Sequence, residues 1–154
     1  LIDPGSAAGL DGTISKAADS GNPWFGYYWN PTSMVGKYGL IPVDFDVKFH
    51  SRDNWDNCIT LAEQDCADPQ PTAWTKSEVN SIVTANFAKT GGKDALNYVK
   101  KRTYPGDVMN GMLVYMADNQ AKGSDAAIEF LQKHEDVWGK WVSGAAKKKI
   151  KAGF

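Results

Sequence analysis

A run of aromatic residues that ends at a proline places the strongest constraint on how this chain can fold. Six of the eight residues from Pro23 to Asn30 are aromatic or glycine, and Pro31 follows directly. Aromatic residues favour extended strands, whereas proline fixes its own φ and keeps the preceding residue out of the helical region. We therefore predict a strand over 24–29 that stops within a residue of Trp29, which leaves this indole at the edge of an element.

An aromatic side chain at such an edge has two possible roles. Aromatic strands commonly face a core, and most of the six tryptophans are expected to be buried, since each ring buries about 150–250 Å². Indole and phenol faces also attract cations, and grouped rings form the known receptor for quaternary ammonium ligands. The run alone favours a core, with Trp29 as the first candidate for binding a cation. On a strand Tyr27 shares a face with Trp29 and Tyr28 points away, so one tyrosine can accompany the indole unless the strand end twists.

The composition limits the classes of protein to which the chain can belong. Its 154 residues, 42% of them hydrophobic, suit one domain over 1–154 that buries its own core. With 17 basic and 18 acidic side chains the net charge is −1, so electrostatics gives no reason to expect nucleic acid or an anionic membrane as a partner. No apolar run approaches the ~20 residues that cross a bilayer, and the first residues lack the pattern of a signal peptide.

The two cysteines, Cys58 and Cys66, are predicted to form a disulfide. They lie in a polar stretch rich in turn formers, and their spacing matches neither a zinc site nor a redox-active CxxC motif. A bond that closes so short a loop stabilises by about 2.6 kcal/mol in the chain-entropy model. Such bonds persist in oxidising compartments, which points to the periplasm or the cell exterior. Two thiols in a loop are the alternative.

The first half of the chain is predicted to mix helices with extended segments. Ser6 is placed to cap a first helix, and a short helical turn is expected after Pro31. Extended pieces are predicted at 40–45 and 79–84, on either side of a loop-like region over 50–76.

The second half is predicted to be helical. Apolar residues at helical spacing indicate four helices, marked in turn by Val99, Met112, Leu131 and Trp138. Ser124 is expected to cap the third of them, and the fourth is expected to continue past Trp141 to Ala145. The lysine-rich segment 147–151 is then a solvated tail.

Catalytic chemistry finds little support in the sequence. Asp44, Asp46 and His50 form the one cluster that could be drawn as an acid/base or metal site, but a single histidine beside two aspartates is a weak ligand set. The chain carries no phosphate-binding loop, no nucleophile elbow and no HExxH zinc motif. We therefore expect a protein that is not an enzyme and that uses no metal and no cofactor.

Three short motifs follow one another between Ala18 and Leu40. They read Gly21-x-Pro23-Trp24, then Gly26-Tyr27-Tyr28-Trp29-Asn30-Pro31-Thr32, then Lys37-Tyr38-Gly39-Leu40. This order resembles the signature of the glycine betaine, choline and proline substrate-binding proteins of ABC importers. The later segments 128–131 and 137–142 resemble the C-terminal helices of that family, so the resemblance covers nearly the whole chain.

The resemblance implies an α/β fold: one lobe or the C-terminal portion of a bilobal, type II periplasmic binding protein, with a helix-rich second half. In that family a box of aromatic rings holds the trimethylammonium group of the ligand, and Trp29 falls on the tryptophan that contributes to it. Tyr28, Tyr27, Asn30 and Thr32 are the neighbouring candidates for ligand contact. Thr32 stands where relatives often carry histidine, which leaves the binding of the ligand carboxylate open.

The same resemblance implies partners in a transport system. The ligand would be glycine betaine or a related quaternary ammonium or proline-type osmolyte, captured in the periplasm and delivered to an ABC permease in the inner membrane. Full receptors of this kind are considerably longer, so the N-terminal portion of the same receptor is a further expected partner. The alternative class is a secreted carbohydrate-binding or carbohydrate-active domain, in which rings stack on sugars and Asp44 or Asp46 acts as acid or base.

Overall fold

Helices are the regular elements of the structure, a computed structural model that describes residues 2–75 and 77–153. Their bounds are α1 Ala7–Asp19, α2 Ser33–Tyr38, α3 Arg52–Asn54, α4 Ala85–Thr90, α5 Lys93–Lys101, α6 Gly106–Asn119, α7 Gly123–Lys133, α8 Glu135–Trp138 and α9 Gly144–Lys151. A π-helical turn, Trp55–Ile59, continues α3, and a 3₁₀ turn spans Glu63–Asp65. No β-strand is present within these described residues.

The strands predicted at 24–29, 40–45 and 79–84 are therefore not formed, and the α/β architecture is not confirmed. Strand propensity takes effect only where a second strand completes the ladder of backbone hydrogen bonds and packs against the side chains. Within the part of the chain that the structure describes, the three segments are in no such ladder. Apolar side chains such as Ile41 and Val79 consequently remain exposed.

The chain divides into two compact units, Leu1–Ile41 with Ser81–Phe154 and, separately, Pro42–Asn80. Polar contacts organise the smaller unit. The amide group of Asn54, which is buried, exchanges two hydrogen bonds of 3.1 Å with the backbone of Gln70. This pair fixes two distant points of a segment that has little regular structure.

A covalent bond and a group of rings complete the smaller unit. Cys58 and Cys66 form the predicted disulfide. The ring of Trp55 meets that of Trp74 edge-on at 5.2 Å and lies 6.3 Å from the ring of Phe49. The region predicted to be loop-like also contains helical turns, α3 and the π-helical turn.

The larger unit has an aromatic core near its C-terminal helices. Trp138 is buried, and its indole N–H donates to the carbonyl oxygen of Leu131 at 2.8 Å, which satisfies the polar atom that burial would otherwise leave unpaired. Val137 and Trp141 are buried with it, and the following residues pack against the three: Tyr98, Val108, Phe130, Leu131, Val142 and Ile150. Leu131 and Trp138, which were predicted to mark the last two helices, therefore both belong to this core.

The single helix predicted through Trp138 and Trp141 to Ala145 is wrong, because two shorter helices take its place. Helix α8 ends at Trp138, and Trp141 lies buried in the connection that follows. Ser143 then caps α9, since its hydroxyl accepts the backbone N–H of Ala146 at 3.3 Å. Serine is among the residues preferred at helix starts, and here that local preference interrupts the longer period.

Two other helix starts also differ from the prediction. Helix α7 is capped at Lys122, whose backbone N–H donates to the Asp125 carboxylate at 2.9 Å, and not at Ser124. Helix α4 was not predicted, although Thr84 caps it by accepting the backbone N–H of Phe87 at 3.1 Å. The strand propensity of the residues before Thr84 concealed this cap.

Candidate aromatic binding site

Two hydrogen bonds tie the aromatic run to α1. The indole N–H of Trp24 donates to the hydroxyl of Thr13 at 3.0 Å, and the phenol of Tyr28 donates to Oδ1 of Asp11 at 2.6 Å. Between them, Gly26 lies against the Trp24 ring, where a Cβ atom would be 2.9 Å from a ring carbon. The absence of a side chain at position 26 therefore lets the run fold closely over its own first ring.

Three neighbouring rings meet at the end of this run. The ring of Tyr28 stacks on that of Trp29, with centroids 4.6 Å apart and planes 9° from parallel. The ring of Tyr27 lies 6.5 Å from Trp29 at an angle of 37°. Both tyrosines accompany the indole, because the segment is not a regular strand with alternating side chains. Trp29 is 45% exposed, so the stacked tyrosine does not enclose it.

Burial and the Asp11 carboxylate determine the electrostatics of the ring stack. Burial, the hydrogen bond to Asp11 and the negative charge of that carboxylate together raise the pKa of the Tyr28 phenol to about 12, against a smaller lowering by a hydrogen bond with Thr32. Tyr28 is a neutral donor at physiological pH and keeps its proton to a higher pH than an ordinary tyrosine does. Its hydroxyl binds a carboxylate, and one face of its ring lies against an indole.

Asn30 and Thr32 follow the rings and lead into α2. The Thr32 hydroxyl accepts the backbone N–H of Val35 at 3.2 Å and so caps this helix, while the Thr32 backbone N–H donates to Oδ1 of Asn110 at 2.9 Å. Asn30 is exposed, and its amide nitrogen lies close to Gly106, the first residue of α6, at 3.5 Å from where a Cβ atom of that residue would stand. All five predicted contact residues lie in one short region. Thr32 is already hydrogen-bonded within the protein.

Helix α6 fixes the position of α2 behind this region. A Cβ atom at Gly36 would lie 2.8 Å from Cγ2 of Val114 and 3.0 Å from the carbonyl oxygen of Asn110. Such distances leave no room for a side chain, so glycine is required where the two helices cross. The bond from Thr32 to Asn110 adds a polar tie between the same helices.

The two residues that anchor the site from outside the run were not predicted from the sequence. Asp11 lies 17 residues from Tyr28, and Asn110 lies 78 residues from Thr32. A polar residue on a helix has many possible partners, so neither position carries a recognisable local pattern. The aromatic run itself was the signal, and its supports became visible only in three dimensions.

A second group of rings contains a cation of the protein itself. The guanidinium carbon of Arg102 lies 5.8 Å from the ring centre of Tyr98 and 5.9 Å from that of Tyr104. Both tyrosine rings meet Trp141 edge-on, at 6.3 and 5.0 Å, and Phe130 stacks on Trp141 at 5.6 Å. Arginine already fills the position of a cationic ligand there, so we interpret this group as part of the core.

Asp44, Asp46 and His50 lie at the surface, where Asp44 and Asp46 form a local turn. Oδ1 of Asp44 accepts the backbone N–H of Asp46 at 2.8 Å, and the backbone N–H of His50 donates to the Thr72 hydroxyl at 2.9 Å. All three side chains are on exposed residues. Among residues 2–75 and 77–153, no three His, Cys, Asp or Glu side chains are grouped as metal ligands would be.

Comparison with known proteins gives the family of the chain. A family model described as the substrate binding domain of ABC-type glycine betaine transport system matches residues 1–133, which include the aromatic run, its anchors in α1 and α6, and helices α1 to α7. No curated protein matches the chain. In the described ranges, no helix is both long enough and apolar enough to cross a membrane. The match over residues 1–133 shows that the chain belongs to the family of substrate-binding domains of ABC-type glycine betaine transport systems.

Proposed function

We propose that the chain is part of the substrate-binding component of an ABC importer and binds glycine betaine or a related quaternary ammonium or proline-type osmolyte at Trp29. The observation that carries this proposal is the exposed indole with Tyr28 stacked on it and Tyr27 beside it. Family membership supports the class of ligand. In this role the protein binds and releases its ligand unchanged, and it is not an enzyme.

The chemistry of a quaternary ammonium group suits a site made of rings. Such a group has no N–H bond to donate, and its charge is spread over methyl groups that are apolar in shape. Aromatic faces offer both apolar surface and negative potential, and each desolvated contact contributes roughly 2 kcal/mol. Asn30 and the start of α2 at Thr32 are the nearest polar groups from which a ligand carboxylate could be bound.

The rings described here form one wall of the site in this proposal, and the N-terminal portion of the same receptor supplies the other wall. Residues 1–154 then act as one domain of a bilobal, type II α/β receptor. The exposed apolar side chains of the extended segments support this arrangement: Ile41 is 82% exposed, Val79 100% and Ile82 92%. Burial of such side chains beside new strands would complete the sheet that the chain alone does not form.

The same proposal sets the compartment and the membrane partner. The Cys58–Cys66 disulfide suits an oxidising compartment, and substrate-binding domains of importers work outside the cytoplasm. We therefore infer that the receptor collects its osmolyte in the periplasm and delivers it to an ABC permease in the inner membrane.

Calorimetric titration with glycine betaine tests the proposal in the complete receptor. We expect Trp29→Ala to weaken binding by about 1–3 kcal/mol, because cation–π and packing contacts are lost together. Trp74→Ala is the matched control, since it removes another exposed tryptophan from the smaller unit, and it should leave the affinity unchanged. A carbon analogue of the ligand, with a tert-butyl group in place of the trimethylammonium group, should bind much more weakly.

Four results would contradict different parts of the proposal. Unchanged affinity after Trp29→Ala would show that the indole takes no part in ligand binding. Equal binding of the carbon analogue would show that charge does not contribute. Micromolar binding of glycine betaine by the 154-residue chain alone would refute the single wall, and binding of sugars instead of betaines would favour the carbohydrate-binding class.

A further inference from the structure

We propose that Asp11 in α1 is a positioning residue for the proposed ligand site: its carboxylate holds the Tyr28 ring against Trp29 and strengthens the attraction of the two rings for a cation. The inference rests on the proposed function and extends it to a residue outside the aromatic run. The motifs by which the sequence resembles its family begin after Asp11.

The contact between Asp11 and Tyr28 has the geometry of a strong hydrogen bond. The phenol oxygen lies 2.6 Å from Oδ1 of Asp11, a distance typical of an O–H donor bound to an ionised carboxylate. Both residues are half-buried, so water competes weakly for either partner. The ion pairs of the described part of the chain do not include Asp11, so no basic side chain competes with Tyr28 for this carboxylate there.

This hydrogen bond fixes the orientation of a ring that touches the proposed ligand surface. Tyr28 lies parallel to Trp29 at 4.6 Å, and a bond at its far end stops the ring from swinging away. A ring that is already in place loses no conformational freedom when a ligand binds, so more of the contact energy appears as affinity. Asp11 thus acts on the ligand through Tyr28, without touching it.

The carboxylate also changes the electrostatics of the stack. A phenol that donates to a negative charge becomes more electron-rich, and the ring face turns more attractive to a cation. The raised pKa of Tyr28 supports a bond that persists over the physiological pH range. The negative charge of Asp11, bound directly to the phenol of the stacked ring, also favours cationic ligands over neutral ones of the same shape.

Single variants of Asp11 and Tyr28, and the double variant Asp11→Ala with Tyr28→Phe, test whether Asp11 acts by positioning the Tyr28 ring or by its negative charge. Asp11→Ala removes the acceptor and the charge, Asp11→Asn keeps an acceptor without the charge, and Tyr28→Phe keeps the ring without the donor. The control is Asp19→Asn, which removes the same charge from an exposed position at the end of the same helix. Affinity for tetramethylammonium is measured at constant ionic strength in the complete receptor.

We expect Tyr28→Phe to weaken tetramethylammonium binding by about fivefold, the loss of one charge-assisted hydrogen bond that orders the site, and Asp11→Ala to weaken it more, because the charge is lost with the bond. The double variant should be no weaker than Asp11→Ala, because the two substitutions remove the same bond. Asp11→Asn should fall between wild type and Asp11→Ala, and Asp19→Asn should bind as wild type does. Ultraviolet titration of the ligand-free protein should show the pKa of Tyr28 falling in Asp11→Ala.

The outcomes distinguish this inference from the proposed function. A wild-type receptor that binds no tetramethylammonium and no glycine betaine refutes both. Wild-type binding with Asp11→Ala unchanged, or with losses that add up in the double variant, refutes the role of Asp11 and leaves the proposed function in place. Should Asp11→Ala fail to fold, as circular dichroism would show, Asp11→Asn and Tyr28→Phe decide by the same criteria.

Discussion

Tyr28 keeps its proton to a higher pH than an ordinary tyrosine because of its surroundings, and this makes the stability of the protein sensitive to high pH. Burial, with the Asp11 carboxylate, raises the pKa of the phenol to about 12, while a tyrosine in an unfolded chain titrates near 10. The folded state therefore binds this proton more tightly than the unfolded state does. The stability that results is complete below about pH 10 and is lost as the pH rises through about 12.

Tyr28→Phe tests this dependence on pH. We expect the variant to be less stable than wild type at neutral pH, because the hydrogen bond to Asp11 is missing, and the difference to shrink as the pH rises from about 10 to about 12. Urea unfolding followed by tryptophan fluorescence gives both free energies. Comparison at each pH cancels the titration of groups that the two proteins share, and a difference that stays constant across this range would contradict the raised pKa.

At the scale of elements, the contact between α2 and α6 depends on one missing side chain. Gly36 faces Val114 and the backbone of Asn110 at distances that admit no Cβ atom. We expect Gly36→Ala to lower the free energy of unfolding by about 1–3 kcal/mol, the usual cost of forcing extra volume into a packed contact. Denaturant unfolding measures the change. Because α2 begins at Thr32, affinity for the ligand should fall with it.

Gly111→Ala in α6 is the matched control for that substitution. A Cβ atom at Gly111 would meet nothing within 4 Å, so the same chemical change occurs there without a clash. Alanine is about 1 kcal/mol more favourable than glycine inside a helix, and we expect this variant to gain stability. Equal effects at the two positions would show that helix propensity, and not the crossing of α2 and α6, decides the outcome.

One carboxylate connects α8 to α9. Glu135 forms ion pairs of 2.8 Å with Lys147 and 2.7 Å with Lys151, so the lysine-rich segment is a tethered helix, and the prediction of a solvated tail is wrong. The hydrogen bond from Lys147, followed by that from Lys151, lowers the pKa of Glu135. Stability from this group is thus present above the pKa of an unfolded glutamate and is lost as the pH falls through the lowered value.

Glu135→Gln should loosen α9. We expect faster hydrogen exchange in the backbone amides of Gly144–Lys151, and acidification of the wild type through the lowered pKa should give the same result. Asp136→Asn is the control, since it removes a neighbouring exposed carboxylate. If both variants exchange alike, the ion pairs of Glu135 do not tether the helix, as is common for exposed pairs.

Over the whole molecule, the sequence predicted the elements whose causes are local. The cap at Ser6 and the short helix after Pro31 both depend on residues within a turn of the helix end, and both are confirmed. Strands depend on partners far away in sequence, so the aromatic and β-branched content of 24–29 and 79–84 could not establish them. The cap of α7 at Lys122, where Ser124 was predicted, shows that even a local choice depends on which side chain binds the backbone, here the Asp125 carboxylate.

In the candidate site, too, the sequence predicted what depends on neighbouring residues and not what depends on tertiary contacts. The proximity of Tyr27, Tyr28 and Trp29 follows from their adjacency in sequence, and the order of motifs around them indicated the family. The stacking of Tyr28 depends on Asp11, and a residue that acts through a tertiary hydrogen bond has no signature of spacing. Such supports belong to the arrangement of helices, which local patterns do not determine.

The disulfide provides a test at the scale of the whole molecule, because it lies entirely within the smaller unit, Pro42–Asn80. Closing this loop restricts the unfolded chain, which is worth about 2.6 kcal/mol in the chain-entropy model. We expect reduction, or replacement of Cys58 and Cys66 by serine, to lower the protection of backbone amides in that unit. Hydrogen exchange with peptides from each unit measures the change.

The larger unit should respond differently to the same treatment. The stack of Tyr28 on Trp29 is anchored by α1, and α2 is anchored by α6, all within the larger unit. Amide protection in α1 and α6, and the affinity for tetramethylammonium, should therefore survive reduction. An affinity that falls together with the protection of the smaller unit would contradict this prediction, because the anchors of the ring stack would then not be sufficient to maintain it.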